Sequence, residues 1–334
     1  MAITIKDVAK LANVSPSTVS RVISQSPRIS DATKQVVYAA MKDLKYKPNA
    51  IARNLANAST KTLGLIIPNQ DENLFKNPFF IQAMRGISIY AQKKNYKIMF
   101  NYGASPEDEL NFVHEFVNSK WVDGIILLTA YENDLCIDYL NEESFPFVVV
   151  GRPYNIHDIM WVDNDNFQAT YNLVNTLIQK GCQDIGFIGG PQKYIFSKDR
   201  LEGYKRALEL RNLTVFQDII KETEDFTEDE GYMAMKDICE SRVPHAIVTT
   251  DDLLGFGVLR YIREHDLKVK VTGFNNIPLS EYQTPALTSV DIKAEDLGYN
   301  AAKLLIRSLE GIENTVNHYI VATELIERES TAKY

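Results

Sequence analysis

The stretch TIKDVAKLANVSPSTVSRVI, residues 4–23, decides how the amino-terminal end of the chain folds. Thr4 is suited to cap a helix whose apolar residues recur at helical spacing. The Asn-Val pair that follows predicts a turn. Ser15 followed by Pro16 is typical of a helix start, because a proline at the first helical position gives up no hydrogen bond. The stretch therefore predicts two helices separated by a tight turn, the second at about residues 16–24.

A third helix is predicted over residues 31–44, where apolar residues again recur at helical spacing. Two helices joined by a tight turn and braced by a third make a helix-turn-helix arrangement, whose second helix enters the major groove of DNA. In that helix Ser17, Thr18 and Arg21 are expected to face outward, while its two valines pack against the first helix. The same periodicity is also compatible with an ordinary three-helix bundle.

Charge is divided unevenly along the chain, whose net charge is -8. Residues 1–60 hold nine Lys and Arg against three acidic residues, whereas the remainder holds 27 against 41. A basic end on an acidic body suggests a surface that faces DNA, because phosphate contacts supply most sequence-independent affinity. A short charged segment is also often just a solvated face.

Composition disfavours a membrane protein and a disulfide framework. The longest apolar runs, such as residues 124–128 and 147–150, are far shorter than the roughly 18–20 residues of a membrane-spanning helix. The amino-terminal residues lack a secretory pattern, so a cytoplasmic protein is expected. Cys136, Cys182 and Cys239 are widely spaced and predict reduced thiols. A chain of 334 residues predicts about two or three structural units.

From residue 62 the pattern changes to strands that alternate with helices. Short β-branched runs between amphipathic helices are typical of parallel sheets covered on both faces, and two such series imply two similar lobes. The predicted strands lie at residues 63–67, 97–101, 124–128, 147–150, 185–188, 246–249 and 269–274. The predicted helices lie at residues 79–94, 106–118, 167–180, 200–210, 228–239 and 253–264.

Residues 4–23 together with YKPNAIARNLA, residues 46–56, resemble the lactose-repressor family, LacI/GalR. The resemblance extends over nearly the whole chain, through segments such as DIGFIGGP (184–191) and TTDDLLGFG (249–257). It implies an α/β protein with a helix-turn-helix head of three helices, a hinge helix, and a two-lobed core that is like a periplasmic binding protein and has parallel sheets. The expected domains are residues 1–47 for the head, 48–60 for the hinge helix and linker, 61–161 with 291–322 for the amino-terminal lobe, and 162–290 with 323–334 for the carboxyl-terminal lobe and the effector cleft.

The resemblance implies that the second helix reads DNA. Residues that match Pro16, Ser17 and Arg21 contact bases in the family, and neighbouring hydroxyl residues hold phosphates. Arginine suits guanine because it donates two hydrogen bonds to O6 and N7, so Arg21 is the expected direct reader. The full set of expected DNA-binding residues is Thr4, Ser15, Pro16, Ser17, Thr18, Ser20, Arg21, Asn49, Ala52, Arg53, Leu55 and Ala56.

Residues 49–57 match the hinge helix of the family, which forms on operator DNA beside the same segment of a second copy. The residue that matches Leu55 enters a central base step there and kinks the minor groove. At only about nine residues the segment is too short to be a stable helix alone. A lone leucine is otherwise more often a core residue.

The core implied by the resemblance holds a small sugar between its lobes, at the carboxyl ends of the strands. Asp and Arg side chains form paired hydrogen bonds to neighbouring hydroxyls. Arg200 and Asp251 are also compatible with a helix-terminal ion pair, and Phe79 and Phe226 with core positions. The expected effector-binding residues are Phe79, Asp163, Arg200, Phe226, Asp251 and Asn275.

The segments RLEGYKRAL (200–208) and GFNN (273–276) are similar to maltose-operon regulators of Gram-positive bacteria. The expected effector is therefore maltose or a related oligosaccharide. Asn275 and Asn276 stand where many members of the family have acidic residues. The resemblance as a whole implies a homodimeric repressor of carbohydrate-utilisation genes, whose partners are double-stranded operator DNA and a small sugar.

No pattern in the sequence predicts catalysis. The five histidines are scattered, and neither a phosphate-binding loop nor a nucleophile elbow is present, so no enzyme activity, metal or cofactor is expected. One alternative is a sugar-binding protein of a transport system without DNA function, which would need an export signal or a lipidated cysteine. Another is a sugar-metabolising enzyme with an accessory head, which a turnover assay would distinguish.

Overall fold

A computed structural model of the chain describes residues 3–23, 26, 28–46, 59–68 and 78–332. The chain divides into two compact units, Met1–Lys61 with Lys120–Val122, and Thr62–Ser119 with Asp123–Tyr334. The helix-turn-helix head belongs to the first unit and the core to the second. The hinge helix predicted at residues 49–57 lies outside the described residues.

The head contains the three predicted helices, α1 Ile5–Leu11, α2 Pro16–Ile23 and α3 Asp31–Asp43. Thr4 precedes α1 as predicted, and its backbone N–H and hydroxyl both donate to the Asp7 carboxylate at 2.8 Å. The predicted valines Val19 and Val22 are buried with Val37 in one apolar cluster. Local capping and this small core together fix the angle between the helices.

The core follows the alternating order expected from the sequence. In the described residues its helices and strands are β1 Thr62–Pro68, α4 Pro78–Lys93, β2 Lys97–Gly103, α5 Pro106–Ser119, β3 Gly124–Leu127, α6 Leu135–Glu142, β4 Phe147–Val150, β5 Met160–Asp163, α7 Asn166–Gln179, β6 Ile185–Gly189, α8 Ile195–Leu210, β7 Ile220–Glu222, α9 Glu228–Ser241, β8 Ala246–Thr249, α10 Asp252–Glu264, β9 Lys270–Phe274, β10 Thr288–Asp291, α11 Ala294–Leu309, β11 His318–Ile320 and β12 Glu324–Ile326. Short 3₁₀ turns lie at Gln217–Ile219, Pro278–Tyr282 and Glu329–Thr331.

These strands form two sheets, one in each lobe. In the described part of the core each sheet has six strands, in the orders β11-β5-β4-β3-β1-β2 and β12-β10-β9-β8-β6-β7. All neighbours are parallel except β10 and β12. The chain passes between the sheets after β5, after β10 and between β11 and β12. The expected two-lobed α/β architecture with parallel sheets is confirmed.

Two of the domain limits expected from the sequence differ from the strand pairing. Val162 and Asp163 pair with neighbours in the first sheet, although the expected limit placed them in the carboxyl-terminal lobe. Asp291 pairs with Glu324 in the second sheet, although it was assigned to the amino-terminal lobe. In both cases the expected limit falls within a four-residue strand, β5 or β10, that is too short for the sequence pattern to predict. The other limits stay a prediction.

Among the described residues no helix is long and apolar enough to cross a membrane. No group of His, Cys, Asp or Glu side chains within the same ranges is arranged to hold a metal ion.

A buried glutamate on α5 is hydrogen-bonded to the loop that follows β3. Glu109 in α5 is 4% exposed, and its Oε1 accepts a hydrogen bond from the Tyr131 hydroxyl at 3.0 Å. Burial, with a smaller contribution from the nearby Asp134 carboxyl, raises the pKa of Glu109 to about 7, although the hydrogen bond from Tyr131 lowers it. The folded chain therefore binds a proton at Glu109 more tightly than the unfolded chain does.

We expect this raised pKa to appear in the pH dependence of stability. Because the folded pKa exceeds the unfolded value, stability from Glu109 is present at low pH and is lost as pH rises from about 4.5 to about 7. Glu109→Gln cannot titrate but keeps an oxygen that accepts from Tyr131. The variant should gain about 1–3 kcal/mol of unfolding free energy relative to the natural chain across that interval.

The measurement is urea unfolding of both proteins at several pH values. Glu107→Gln, an exposed position on the same helix, is the control and should show no pH-dependent difference. Parallel stability curves for Glu109→Gln and the natural chain would contradict the expectation.

Candidate DNA-binding surface and ligand cleft

The outward face of α2 presents the side chains expected to meet DNA. Of the expected set, Ser15, Pro16, Ser17 and Arg21 are exposed, and Thr18 and Ser20 are half-buried. The Ser15 hydroxyl lies 2.7 Å from that of Ser17 and 2.8 Å from that of Thr18, so three hydroxyls meet where α2 begins. Hydroxyl groups are common donors to phosphate oxygens. Thr4 is exposed at the start of α1.

Five expected DNA contacts belong to the hinge segment. Asn49, Ala52, Arg53, Leu55 and Ala56 lie outside the described residues. Their role stays a prediction.

The core contains a cavity of about 640 Å³ between the carboxyl ends of its two sheets, called the cleft below. Its volume lies within the range of roughly 300–1,000 Å³ that is typical of small-molecule sites. The structure brings all six expected effector residues into its lining: Phe79, Asp163, Arg200, Phe226, Asp251 and Asn275. Contact between these residues and an effector stays a prediction.

Arg200, on α8, forms the floor of the cleft and is 5% exposed. Its Nε donates to Asn166 Oδ1 at 2.9 Å, and its Nη1 donates to the carbonyl oxygen of Thr250 at 2.6 Å. The guanidinium carbon lies 3.7 Å from the ring centre of Phe274 and 4.9 Å from that of Phe196. Burial lowers the pKa of Arg200 to about 10, so the side chain remains charged at neutral pH.

Asp251 faces Arg200 from the start of α10. One carboxylate oxygen caps the helix by accepting from the Leu253 N–H at 2.7 Å, and the other accepts from Asn275 Nδ2 at 2.7 Å. Burial and the adjacent Asp252 carboxyl raise the pKa of Asp251 to about 8, although the charge of Arg200 lowers it. Within the described core no ion pair within 4.0 Å joins Arg200 to Asp251, so the alternative of a helix-terminal ion pair is not what the structure has.

Asn275 reaches Asp251 from a strained turn. Its φ of +100° lies in the left-handed region, where residues other than glycine are uncommon. Its backbone N–H donates to the carbonyl oxygen of Val290 at 2.9 Å, which holds the turn after β9 against β10.

Asp163 ends β5, at the first passage between the lobes. Its carboxylate accepts from the backbone N–H groups of Arg152 at 2.9 Å and Asn164 at 2.7 Å, and from Asn166 Nδ2 at 3.1 Å. Burial raises the pKa of Asp163 to about 6, while these hydrogen bonds and the charge of Arg200 oppose the shift. The carboxylate thus ties the end of a strand of the first lobe to the start of α7.

An aromatic wall, formed by Tyr194, Phe196 and Phe226, lines one side of the cleft. The ring centres are 5.3 to 6.0 Å apart. Tyr131 of the first lobe, whose hydroxyl donates to Glu109, packs on Tyr194 of the second lobe, and the two ring centres are 5.4 Å apart. Aromatic faces of this kind stack on the C–H surfaces of sugars and other partly apolar ligands.

Sequence reasoning missed several lining residues. Arg152 comes two residues after the predicted strand 147–150, so its position at the carboxyl end of a strand was an available signal. Asn164 and Asn166 follow β5, which the sequence did not predict. The missed residues include Arg152, Asn164, Asn166, Tyr194, Phe196 and Arg260.

Comparisons with known proteins match both units. Residues 4–49 match the family described as bacterial regulatory proteins, lacI family, and residues 174–331 match a periplasmic binding protein-like domain. The HTH-type transcriptional regulator MalR of Streptococcus pneumoniae is 38% identical, over 98% of this chain and 100% of that protein.

Two solved structures are similar over most of their length. The complex of the transcriptional regulator CelR with cellobiose has a TM-score of 0.77 and 29% identity, and the match covers 98% of this chain and 99% of that one. A Staphylococcus protein described as a probable maltose operon transcriptional repressor, malR, has a TM-score of 0.75 and 28% identity, with 83% and 99% covered. The chain therefore belongs to the lacI family of DNA-binding transcriptional regulators, and it is not an enzyme.

Proposed function

We propose that this regulator represses carbohydrate-utilisation genes in the cytoplasm by binding operator DNA as a homodimer, under the control of a small sugar held in the cleft. Maltose or a related oligosaccharide is the proposed effector. The observation that carries the proposal is the cleft itself, where a buried guanidinium, two carboxyls and the aromatic wall converge in the same chain as a helix-turn-helix head.

The cleft suits a sugar because it combines hydrogen-bonding groups with aromatic faces. The Asp251 carboxyl accepts one hydrogen bond from the protein on each of its two oxygens, and each oxygen has a second hydrogen-bonding site, so capacity for ligand hydroxyls remains. The aromatic wall offers flat apolar faces opposite these polar groups. The cellobiose bound to CelR and the maltose operon named for malR favour a sugar of disaccharide size.

The charge of the cleft favours an uncharged ligand. Its described lining includes five carboxyl residues, Asp163, Asp225, Glu228, Asp229 and Asp251, against three arginines, Arg152, Arg200 and Arg260. Arg152 donates to Asp199 at 2.5 Å, and Arg260 donates to Glu228 and Asp229 at 2.8 Å. This excess of negative charge would repel an anionic sugar phosphate, whereas it would not repel an uncharged sugar.

An apolar edge of the first sheet supports a dimer. β2 is an edge strand among the described residues, and Met99, Phe100 and Tyr102 on it are 38, 47 and 54% exposed. Exposed apolar edge strands are prone to pair with another chain. A second copy of this protein is the proposed partner.

The proposed mechanism couples the cleft to the head through the dimer. The sugar changes the relative position of the lobes, the alignment of the two copies changes with it, and the paired hinge segments separate. A coupling free energy of about 1–3 kcal/mol corresponds to a change of roughly 5- to 150-fold in affinity.

The test starts from a duplex that the purified protein selects from a random-sequence pool. We expect maltose to weaken binding of this duplex by roughly 5- to 150-fold in fluorescence anisotropy, with glycerol at equal concentration as the control. Reciprocally, bound duplex should lower the affinity for maltose by the same factor. If neither ligand changes the affinity for the other, sugar control is excluded, and if no duplex is preferred over the pool, operator recognition is excluded.

Arg21→Ala should relax base preference at the position that Arg21 reads. Loss of a bidentate contact to guanine costs about 1–3 kcal/mol of discrimination, so the affinity ratio between the selected duplex and one with that guanine replaced should fall toward unity. The comparison uses competition binding with both duplexes. Arg28→Ala, an exposed head arginine outside the expected DNA-binding set, removes the same charge and should lower both affinities alike. An unchanged ratio for Arg21→Ala would show that another residue reads the base.

A further inference from the structure

The cleft continues beyond the floor formed by Arg200 and Asp251. Its lining extends along the loop that carries Phe226 to the start of α9, and it includes Arg260 of α10. Arg260 follows Asp251, the cap of that helix, by nine residues, which is about 13 Å along a helix axis. Side chains on a helix lean toward its amino-terminal end, so the guanidinium reaches back toward the cleft. The lining of the cleft therefore extends from Arg200 and Asp251 to Arg260.

The far end of the cleft is a solvated cluster of donors and acceptors. Arg260 Nη1 donates to Glu228 Oε1 and its Nη2 donates to Asp229 Oδ1, each at 2.8 Å, and its guanidinium carbon lies 4.6 Å from the ring centre of Tyr232. The side chains of Arg260, Glu228 and Asp229 are 32, 47 and 87% exposed. These groups exchange hydrogen bonds with water, so ligand hydroxyls can replace that water at low cost.

The charge of this cluster selects against an anion. One arginine stands against two carboxylates, so the cluster carries a net negative charge. Phe226, two residues before Glu228, links it to the aromatic wall, whose rings extend toward the floor. The lining of the cleft thus includes the Arg200 floor, the aromatic wall and the Arg260 cluster.

We propose that Arg260, Glu228 and Asp229, together with Phe226, form an outer subsite that takes a further neutral hexose ring of a linear oligosaccharide whose first ring lies on the Arg200 floor. This inference rests on the sugar-effector function proposed above. It predicts that the affinity of the cleft for a sugar depends on chain length. It also predicts that Arg260 contributes to the affinity for sugars of two or more rings but not to the affinity for glucose.

The experiment titrates the full-length protein with glucose, maltose and maltotriose by isothermal calorimetry. In the natural chain the affinity should rise along this series. Arg260→Gln should lower the ratio of maltotriose to glucose affinity by about fivefold, because hydrogen bonds from a charged donor to ligand hydroxyls are lost. Arg263→Gln, an exposed arginine on the same helix outside the cleft lining, should leave that ratio unchanged.

The thermal midpoint of both variants should match that of the natural chain, because partly exposed ion pairs contribute little to stability. Equal affinities of the natural chain for glucose and maltotriose, or an Arg260→Gln effect of the same size on all three sugars, would overturn the outer subsite while leaving sugar control intact. If none of the three sugars binds, both the maltose-type effector and the outer subsite are wrong.

Discussion

One buried cation, the guanidinium of Arg200, organises the polar interior of the core. Removing a guanidinium from water is costly, so the charge must be compensated on every side. The compensation comes from separate places in the chain: the Asn166 amide after the first passage between lobes, the Thr250 carbonyl after β8, and the Phe274 ring at the end of β9. The parallel strands bring these segments together at their carboxyl ends, and Arg200 contacts all three of them where the cleft lies.

The carboxyls around this cation are already engaged with the protein. Asp163 and Asp251 each accept several hydrogen bonds, and burial raises the pKa of Asp163 to about 6 and that of Asp251 to about 8. Each group is thus fixed in orientation before any ligand arrives, which reduces the entropy lost on binding. A hydroxyl both donates and accepts, so it suits such a mixed array without adding charge. An anion would have to compete with carboxyls for one guanidinium.

Local sequence information predicts the helices of the head and most central strands. It fails for elements and cleft residues whose place depends on contacts between distant parts of the chain. Residues 4–23 carry their own caps and apolar spacing, so the sequence predicts α1 and α2 closely. The three-residue strands β7, β11 and β12 are too short to show an alternating pattern. α11, at Ala294–Leu309, is long and was still missed, because it starts after Lys293 in a left-handed conformation without a side-chain cap. In the cleft, family resemblance pointed to Arg200 and Asp251, whereas Asn166 acquires its role only when the fold brings the start of α7 to that arginine. Phe196 contacts Arg200 from one turn earlier on the same helix, and neither the resemblance nor its local spacing marked it as part of the cleft.

Two ion pairs join the first lobe to α8 of the second lobe. Arg152 of the first lobe pairs with Asp199 of α8 at 2.5 Å, and Glu132 pairs with Lys198 of the same helix at 2.7 Å. Both pairs are partly exposed, and exposed ion pairs typically contribute about 0–1 kcal/mol. Opening the lobes would also separate Tyr131 from Tyr194, so these two ion pairs are only part of what holds the lobes together. In the proposed mechanism, a ligand that binds one arrangement of the lobes more tightly than the other shifts the equilibrium between the two arrangements.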